Sequence, residues 1–206
     1  MPKAYWIARV DLQMGAAMFM VMCRSLLYSC ASRELSPAKV LAELNAKILE
    51  VSTADLFVTV FYGVLDTADQ SFRYTNAGHN PPLWYHAQDG TVSNITVPGI
   101  ALGVIDDMDL GEAELKLGPG DRLVLYTDGV TEAIDAGEHQ FGLPRLTAVV
   151  ADGAADSPET VKAIQAAVNT FVGGQPQFDD MTLAVVHAAA EGPSMVDLLR
   201  EIQARG

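Results

Sequence analysis

Two apolar, strand-like runs in this chain each meet an acidic turn, and that pairing constrains the fold more than any other feature. Residues 123–126 (LVLY) stop at Asp128-Gly129, and residues 181–186 (MTLAVV) follow Asp179-Asp180 directly. A short β-type run that ends at Asp-Gly sets a carboxylate where a buried strand turns out toward solvent. Carboxylates held at strand ends beside glycine offer a hard divalent cation rigid oxygen ligands with room for water. A single Asp-Gly reads simply as a turn cap, since aspartate often closes turns on its own backbone. Two matched segments favour a cation site over two unrelated caps.

The remaining pattern is helix pair, strand series, helix, strand. Residues 15–32 read as a largely buried helix after a short strand around Tyr5, Trp6, Ile7 and Val10. Ser36-Pro37 starts a second helix, with serine capping and proline at the first helical position, and Leu41, Leu44 and Ile48 form its apolar stripe. From residue 57 the period changes: 57–65 (FVTVFYGVL), 71–75, 83–86, 91–97, 113–117 and 123–126 are strand-like runs divided by Gly, Pro, Asn and Asp clusters. Ser157-Pro158 opens another helix, Gly173-Gly174 closes it, and 181–187 is the last strand. This order predicts an α+β fold, with antiparallel sheets sandwiched and helices packed outside.

A chain of 206 residues, half of them hydrophobic, suits one domain with a sizeable core. The expected domain spans 1–187, followed by a linker and a short amphipathic helix over 188–206 carrying Met195, Leu198, Leu199 and Ile202. A net charge of -13 excludes a nucleic-acid partner, because phosphate backbones need a basic surface. Cys23 and Cys30 lie seven residues apart in a helical run, so about 10 Å separates them, beyond the ~7 Å a disulfide spans. Reduced, buried thiols and a cytoplasmic location are expected. The apolar run 14–27 contains Arg24 and is too short to span a bilayer, so no membrane insertion is expected.

The motifs run in an order that resembles the metal-dependent protein phosphatase (PPM, protein phosphatase 2C-like) family, in its bacterial SpoIIE/RsbU-type branch. They are Ala16-Ala17-Met18-Phe19-Met20, Asn76-Ala77-Gly78-His79-Asn80-Pro81-Pro82, Leu102-Gly103-Val104, residues 126–133 (YTDGVTEA), Phe141-Gly142 and Phe178-Asp179-Asp180-Met181-Thr182. The resemblance implies an αββα sandwich in which aspartates at strand ends hold two Mn or Mg ions. It also implies in-line attack of a metal-bound hydroxide on a phosphoserine or phosphothreonine. Carried over by position, Asp128 and Asp179 match the family's metal aspartates. Gly129 matches its close-approach glycine, and Asp180 is an adjacent ligand or supporting group. The implied substrate is a phosphorylated protein, such as an anti-sigma-factor antagonist.

The chain departs from the family at its start. The family's Gly-Asp-Val-Ser-Gly loop, with its bridging aspartate, is not found; ungapped alignment from Ala16 puts Ala8 at that position. Asp11 would serve only with a loop three residues shorter. The expectation is therefore a family domain incomplete at its N-terminus, lacking the first strands and holding one metal ion or none. A catalytically impaired, protein-binding module is the alternative function. An open sheet edge, and with it self-association, is expected as well. His79 is a candidate acid, though a histidine shaping its loop accounts for the same residue. Asp106, Asp107 and Asp109 lack the alternating ligands and closing glutamate of a calcium loop and read as a solvated turn.

Overall fold

A computed structural model describes residues 3–10, 16–32, 34, 36–51, 56–152, 156–176 and 179–189. Asp11, Phe178 and the expected C-terminal helix lie outside the described residues. The elements run β1 (Lys3–Val10), α1 (Ala16–Ala31), α2 (Pro37–Val51), β2 (Val58–Leu65), β3 (Ser71–Ala77), β4 (Leu83–His86) and β5 (Thr91–Asn94). There follow β6 (Glu112–Lys116), β7 (Arg122–Tyr126), α3 (Asp128–Thr131), α4 (Gly142–Ala151), α5 (Ser157–Val172) and β8 (Leu183–His187). Two four-stranded antiparallel sheets form, one in the order β1-β2-β3-β6 and the other β5-β4-β7-β8.

The period-two alternation of the strands separates three cores, which gives the αββα layering. In β2, Val58, Val60, Tyr62 and Val64 face one way and pack with Phe19, Cys23, Leu41, Leu44 and Ile48 of α1 and α2. Phe61, between them, faces the other way and joins Phe72, Tyr74, Leu123 and Leu125 in the space between the sheets. Val124 and Tyr126 alternate with those leucines and pack with Leu146, Val150, Ile164 and Val168 of α4 and α5. A one-residue slip in either strand would exchange two of these cores, so the register is strongly fixed.

Helix starts follow their capping chemistry. Ser36 Oγ accepts from the Lys39 amide at 3.4 Å, and Glu112 of β6 accepts from both Ser36 Oγ (2.6 Å) and the Ala38 amide (3.0 Å). A carboxylate at a helix N-terminus also favours the helix dipole. For α5 the cap is Asp156, whose side chain accepts from the Glu159 amide, one residue before the expected Ser157. Gly173 closes α5 in the left-handed conformation.

Two departures from the sequence reading stand out. The stretch between β7 and the last strand holds three helices rather than one. α4 went unread because Gly142 and Pro144 at its start resemble a loop, although Leu146 and Val150 are its buried stripe. At the N-terminus, β1 is a full eight-residue strand paired with β2 from Lys3↔Leu65 to Val10↔Val58. β1 thus covers β2 and is itself an edge strand of its sheet. Ala8 lies opposite Val60 in that pairing. Cys23 and Cys30 are free thiols, both buried.

Candidate active site

The two acidic segments meet because β7 and β8 pair. Their register ends at Tyr126↔Leu183, which carries Asp128-Gly129 and Asp179-Asp180 off the same end of the sheet. Thr127 then joins the two segments. Its amide donates to the Thr182 carbonyl (3.1 Å), its hydroxyl donates to the Asp180 carbonyl (3.2 Å), and the same hydroxyl accepts from the Thr182 amide (2.9 Å). Thr127 precedes α3 in extended conformation, and its side chain bridges the segments instead of capping that helix. Gly129 completes the junction: a Cβ there would lie 2.5 Å from the Asp180 carbonyl oxygen and 3.0 Å from its carbon. Only a residue without a side chain allows the backbones to approach so closely.

Asp128 lines a cleft of about 330 Å³ together with Phe57, Thr59, Gly78, His79, Asn80 and Glu132. The far wall of this cleft comes from the other sheet. Thr59 lies two residues before Phe61 on the inter-sheet face of β2, so the cleft opens where the central core ends. His79 is buried, with Nδ1 hydrogen-bonded to Thr59 Oγ1 at 3.1 Å. Asn76, at the end of β3, holds the backbone of His79 on both sides. Its Oδ1 accepts from the His79 amide (2.7 Å), and its Nδ2 donates to the His79 carbonyl (2.8 Å). His79 is therefore fixed by its ring and by its backbone.

Of the sequence candidates, Asp128, Gly129, Asp179 and Asp180 share one junction, and His79 joins Asp128 from across the sandwich. The side chains divide more than the backbones do. Asp179 lines a smaller neighbouring cavity with Gly129, Glu132, Asn169 and Met181, and its Oδ1 accepts from the Asp180 amide at 2.7 Å. Asp180 is exposed. Glu132 lines both cavities and so links the two aspartates spatially. Among the described residues, no group of three or more His, Cys, Asp or Glu side chains converges as a metal cage.

Sequence reading missed Thr59, Asn76 and the part played by Glu132. Asn76 carried a usable signal, since an Asn three residues before a His can close a local turn on that residue's backbone. Thr59 carried a weaker one, the single threonine within a largely apolar strand. Glu132 was visible only as one position of a longer motif.

The donor set at the junction is oxygen-rich, and the described residues lining the main cleft include Asp128 and Glu132 but no Lys or Arg. A phosphoryl group entering it would face the carboxylates of Asp128 and Glu132. That chemistry suits a hard cation bound at Asp128 with neighbouring oxygens, and falls short of a complete two-ion cage among the described residues.

Comparison with known proteins agrees with this architecture. The family model of stage II sporulation protein E (SpoIIE) matches residues 13–189. Protein IcfG of Synechocystis is 29% identical over 204 residues, covering 86% of this chain and 32% of its own length. Phosphoserine phosphatase RsbU of Bacillus subtilis is 33% identical over 117 residues, covering 57% of this chain and 35% of its own. The chain thus spans about a third of the length of these relatives. The SiaA-PP2C domain of Pseudomonas aeruginosa superposes with a TM-score of 0.75 at 20% identity, over 89% of this chain and 80% of that one. The chain belongs to the SpoIIE family, in the RsbU-like branch of the PPM phosphatases.

Proposed function

We propose that this chain recognises phosphorylated serine or threonine in a protein, such as an anti-sigma-factor antagonist, and hydrolyses the phosphate ester weakly and only with Mn or Mg. The observation that carries this reading is the junction of Asp128-Gly129 with Asp179-Asp180 beside a cleft whose other wall presents a fixed histidine. A divalent cation there supplies positive charge that a phosphoryl group needs beside the carboxylates of Asp128 and Glu132. Asp128 would hold it, with Asp179 and the carbonyls at the Gly129 junction as further oxygen ligands. Asp180, exposed beside them, supports the segment. His79 orients the phosphoryl group through a ring position set by Thr59, or relays a proton to the leaving serine oxygen.

A second reading is favoured by two observations and is retained. No cluster of three or more ligating side chains forms among the described residues, and Ala8 occupies the position where the family pattern has a bridging aspartate. Two ions about 3.5–4 Å apart need such a bridge. With one ion, the domain binds phosphoprotein and turns it over poorly, which makes it a protein-binding module.

One experiment separates the readings: release of phosphate from a phosphoserine peptide with and without Mn, in the unaltered chain and in Asp128→Asn. Slow, Mn-dependent release abolished by Asp128→Asn supports the first reading. Tight binding without release supports the second. Release that survives Asp128→Asn contradicts both. The same proposal places the chain in the cytoplasm, where its free thiols stay reduced. It also includes self-association through the β1 edge, which a concentration-independent monomer in sedimentation would refute.

A further inference from the structure

Beside the cleft, the segment 99–107 presents apolar side chains to solvent on a backbone that is fixed from below. Asn45 of α2 is itself buried and grips this segment three times. Its Oδ1 accepts from the Gly103 amide (2.8 Å), and its Nδ2 donates to the carbonyls of Ile105 (2.8 Å) and Asp106 (3.2 Å). Leu102 is locked by reciprocal backbone bonds to Val58 at 3.0 and 2.8 Å. Gly103, at φ +88, fits where a Cβ would meet the Leu56 carbonyl at 2.9 Å. A segment held this firmly could have buried its side chains, yet Ile100, Val104 and Ile105 are 44%, 54% and 46% exposed.

The segment adjoins the cleft through its backbone. Phe57, 41% exposed, lines the cleft and lies against Gly103, while Gly78, also in the cleft wall, packs on the backbone of Ile100 and Ala101. Four of the molecule's exposed large hydrophobics thus gather around one rigid segment at the mouth of one cleft. Scattered apolar residues need no explanation, but exposed apolar residues concentrated on one pinned segment beside a cleft suit a binding surface. Exposed Asp106, Asp107 and Asp109 border it.

We propose that this patch docks the polypeptide flanking the phosphorylated residue of a protein substrate, with a preference for aliphatic side chains accompanied by Lys or Arg. The inference rests on the phosphoprotein reading above, because a phosphoryl group seated beside Asp128 and His79 brings its neighbouring residues over Phe57, Val104 and Ile105. The aspartate border supplies the charge preference, and a pinned backbone lowers the ordering cost of binding. Acidic flanking sequences are repelled.

The test uses fluorescein-labelled eleven-residue peptides centred on a non-hydrolysable phosphonate analogue of phosphoserine, flanked by Leu and Lys or by Ser and Glu. Binding is read by fluorescence anisotropy in the presence of Mn. The Leu/Lys peptide should bind at least fivefold tighter than the Ser/Glu peptide. The Ile100→Ser/Val104→Ser/Ile105→Ser variant should lose the aliphatic preference, and Asp106→Asn/Asp107→Asn should lose the basic one, both with unchanged circular dichroism. If the unaltered chain shows no preference, or the variants keep it, the docking surface is refuted and the phosphatase reading stands. If unphosphorylated Leu/Lys peptide binds as tightly as its phosphonate counterpart, the phosphoprotein reading fails and this proposal fails with it. Dimerisation in sedimentation that the triple serine variant abolishes would assign the patch to a second copy and overturn the substrate assignment.

Discussion

The two walls of the cleft are built by different physics. The wall at the end of β7 and β8 is a backbone junction: Thr127 bonds to both Asp180 and Thr182, and Gly129 rests on the Asp180 carbonyl. The wall from β2 and β3 is a side-chain construction in which Asn76 and Thr59 hold His79 from two directions. The first wall depends on how closely two chains approach and tolerates no added volume. The second depends on a few buried hydrogen bonds and tolerates no loss of a partner. One position can therefore fail by gaining an atom and the other by losing one.

Removing a partner should have the larger effect. Asn76→Ala leaves the buried amide and carbonyl of His79 without the bonds that Asn76 supplied, at a cost of about 2–5 kcal/mol, seen as a fall in Tm on the order of 10 °C. A loss under about 1 kcal/mol would mean that the His79 wall is held by something other than Asn76.

The helical layer behind the His79 wall should also weaken first in alkali. Burial pushes the Cys23 thiol from its ordinary 9.0 up to about 11, and it raises Cys30 and Tyr62 in the same layer. Because Cys23 binds its proton more tightly when folded, its contribution is complete below about pH 9. It is lost as pH rises through about 11 and amounts to about 2–3 kcal/mol. Tyr126, behind the opposite wall, is raised by burial in the same sense. Hydrogen exchange near pH 10.5 should deprotect α1 and α2 before α4 and α5, and Cys23→Val should reduce the difference. Simultaneous loss in both layers would break the contrast.

At the junction, Gly129→Ala should cost about 1–3 kcal/mol by overpacking. It should also part the two acidic segments, visible as amide shift changes at Thr127, Asp180 and Thr182. Thr59→Val should be the mildest, about 0.5–1.5 kcal/mol, and should remove the Thr59 bond to the His79 ring while leaving the junction unchanged. Shift changes at Asp180 in Thr59→Val would show that the walls are coupled.

The same contrast explains what could be read from the sequence. Asp128-Gly129 and Asp179-Asp180 were legible because each follows or precedes a strand whose alternation is local information, and the αββα order follows from those periods. The three cores likewise come from alternation, as in Phe61 against Val60 and Tyr62. Contacts between the sheets were not legible in that way. That Thr59 meets His79, or that Glu132 lies between two cavities, depends on how the layers stack rather than on spacing along the chain. Helix α4 was lost because a glycine and a proline at its start outweighed a two-residue buried stripe. At β1, pairing with the apolar β2 over eight positions organised a strand that showed only a short apolar signal.

The central claim is that the aspartate junction and the His79 wall form one cation-dependent site. Titrating Mn into isotopically labelled protein and following paramagnetic broadening tests it without requiring turnover. The account predicts that resonances of Asp128, Gly129, Asp180 and His79 broaden together at substoichiometric Mn, and that Asp128→Asn abolishes the effect at all of them. Broadening confined to exposed acidic turns such as Asp106-Asp107, or unchanged in Asp128→Asn, would contradict it.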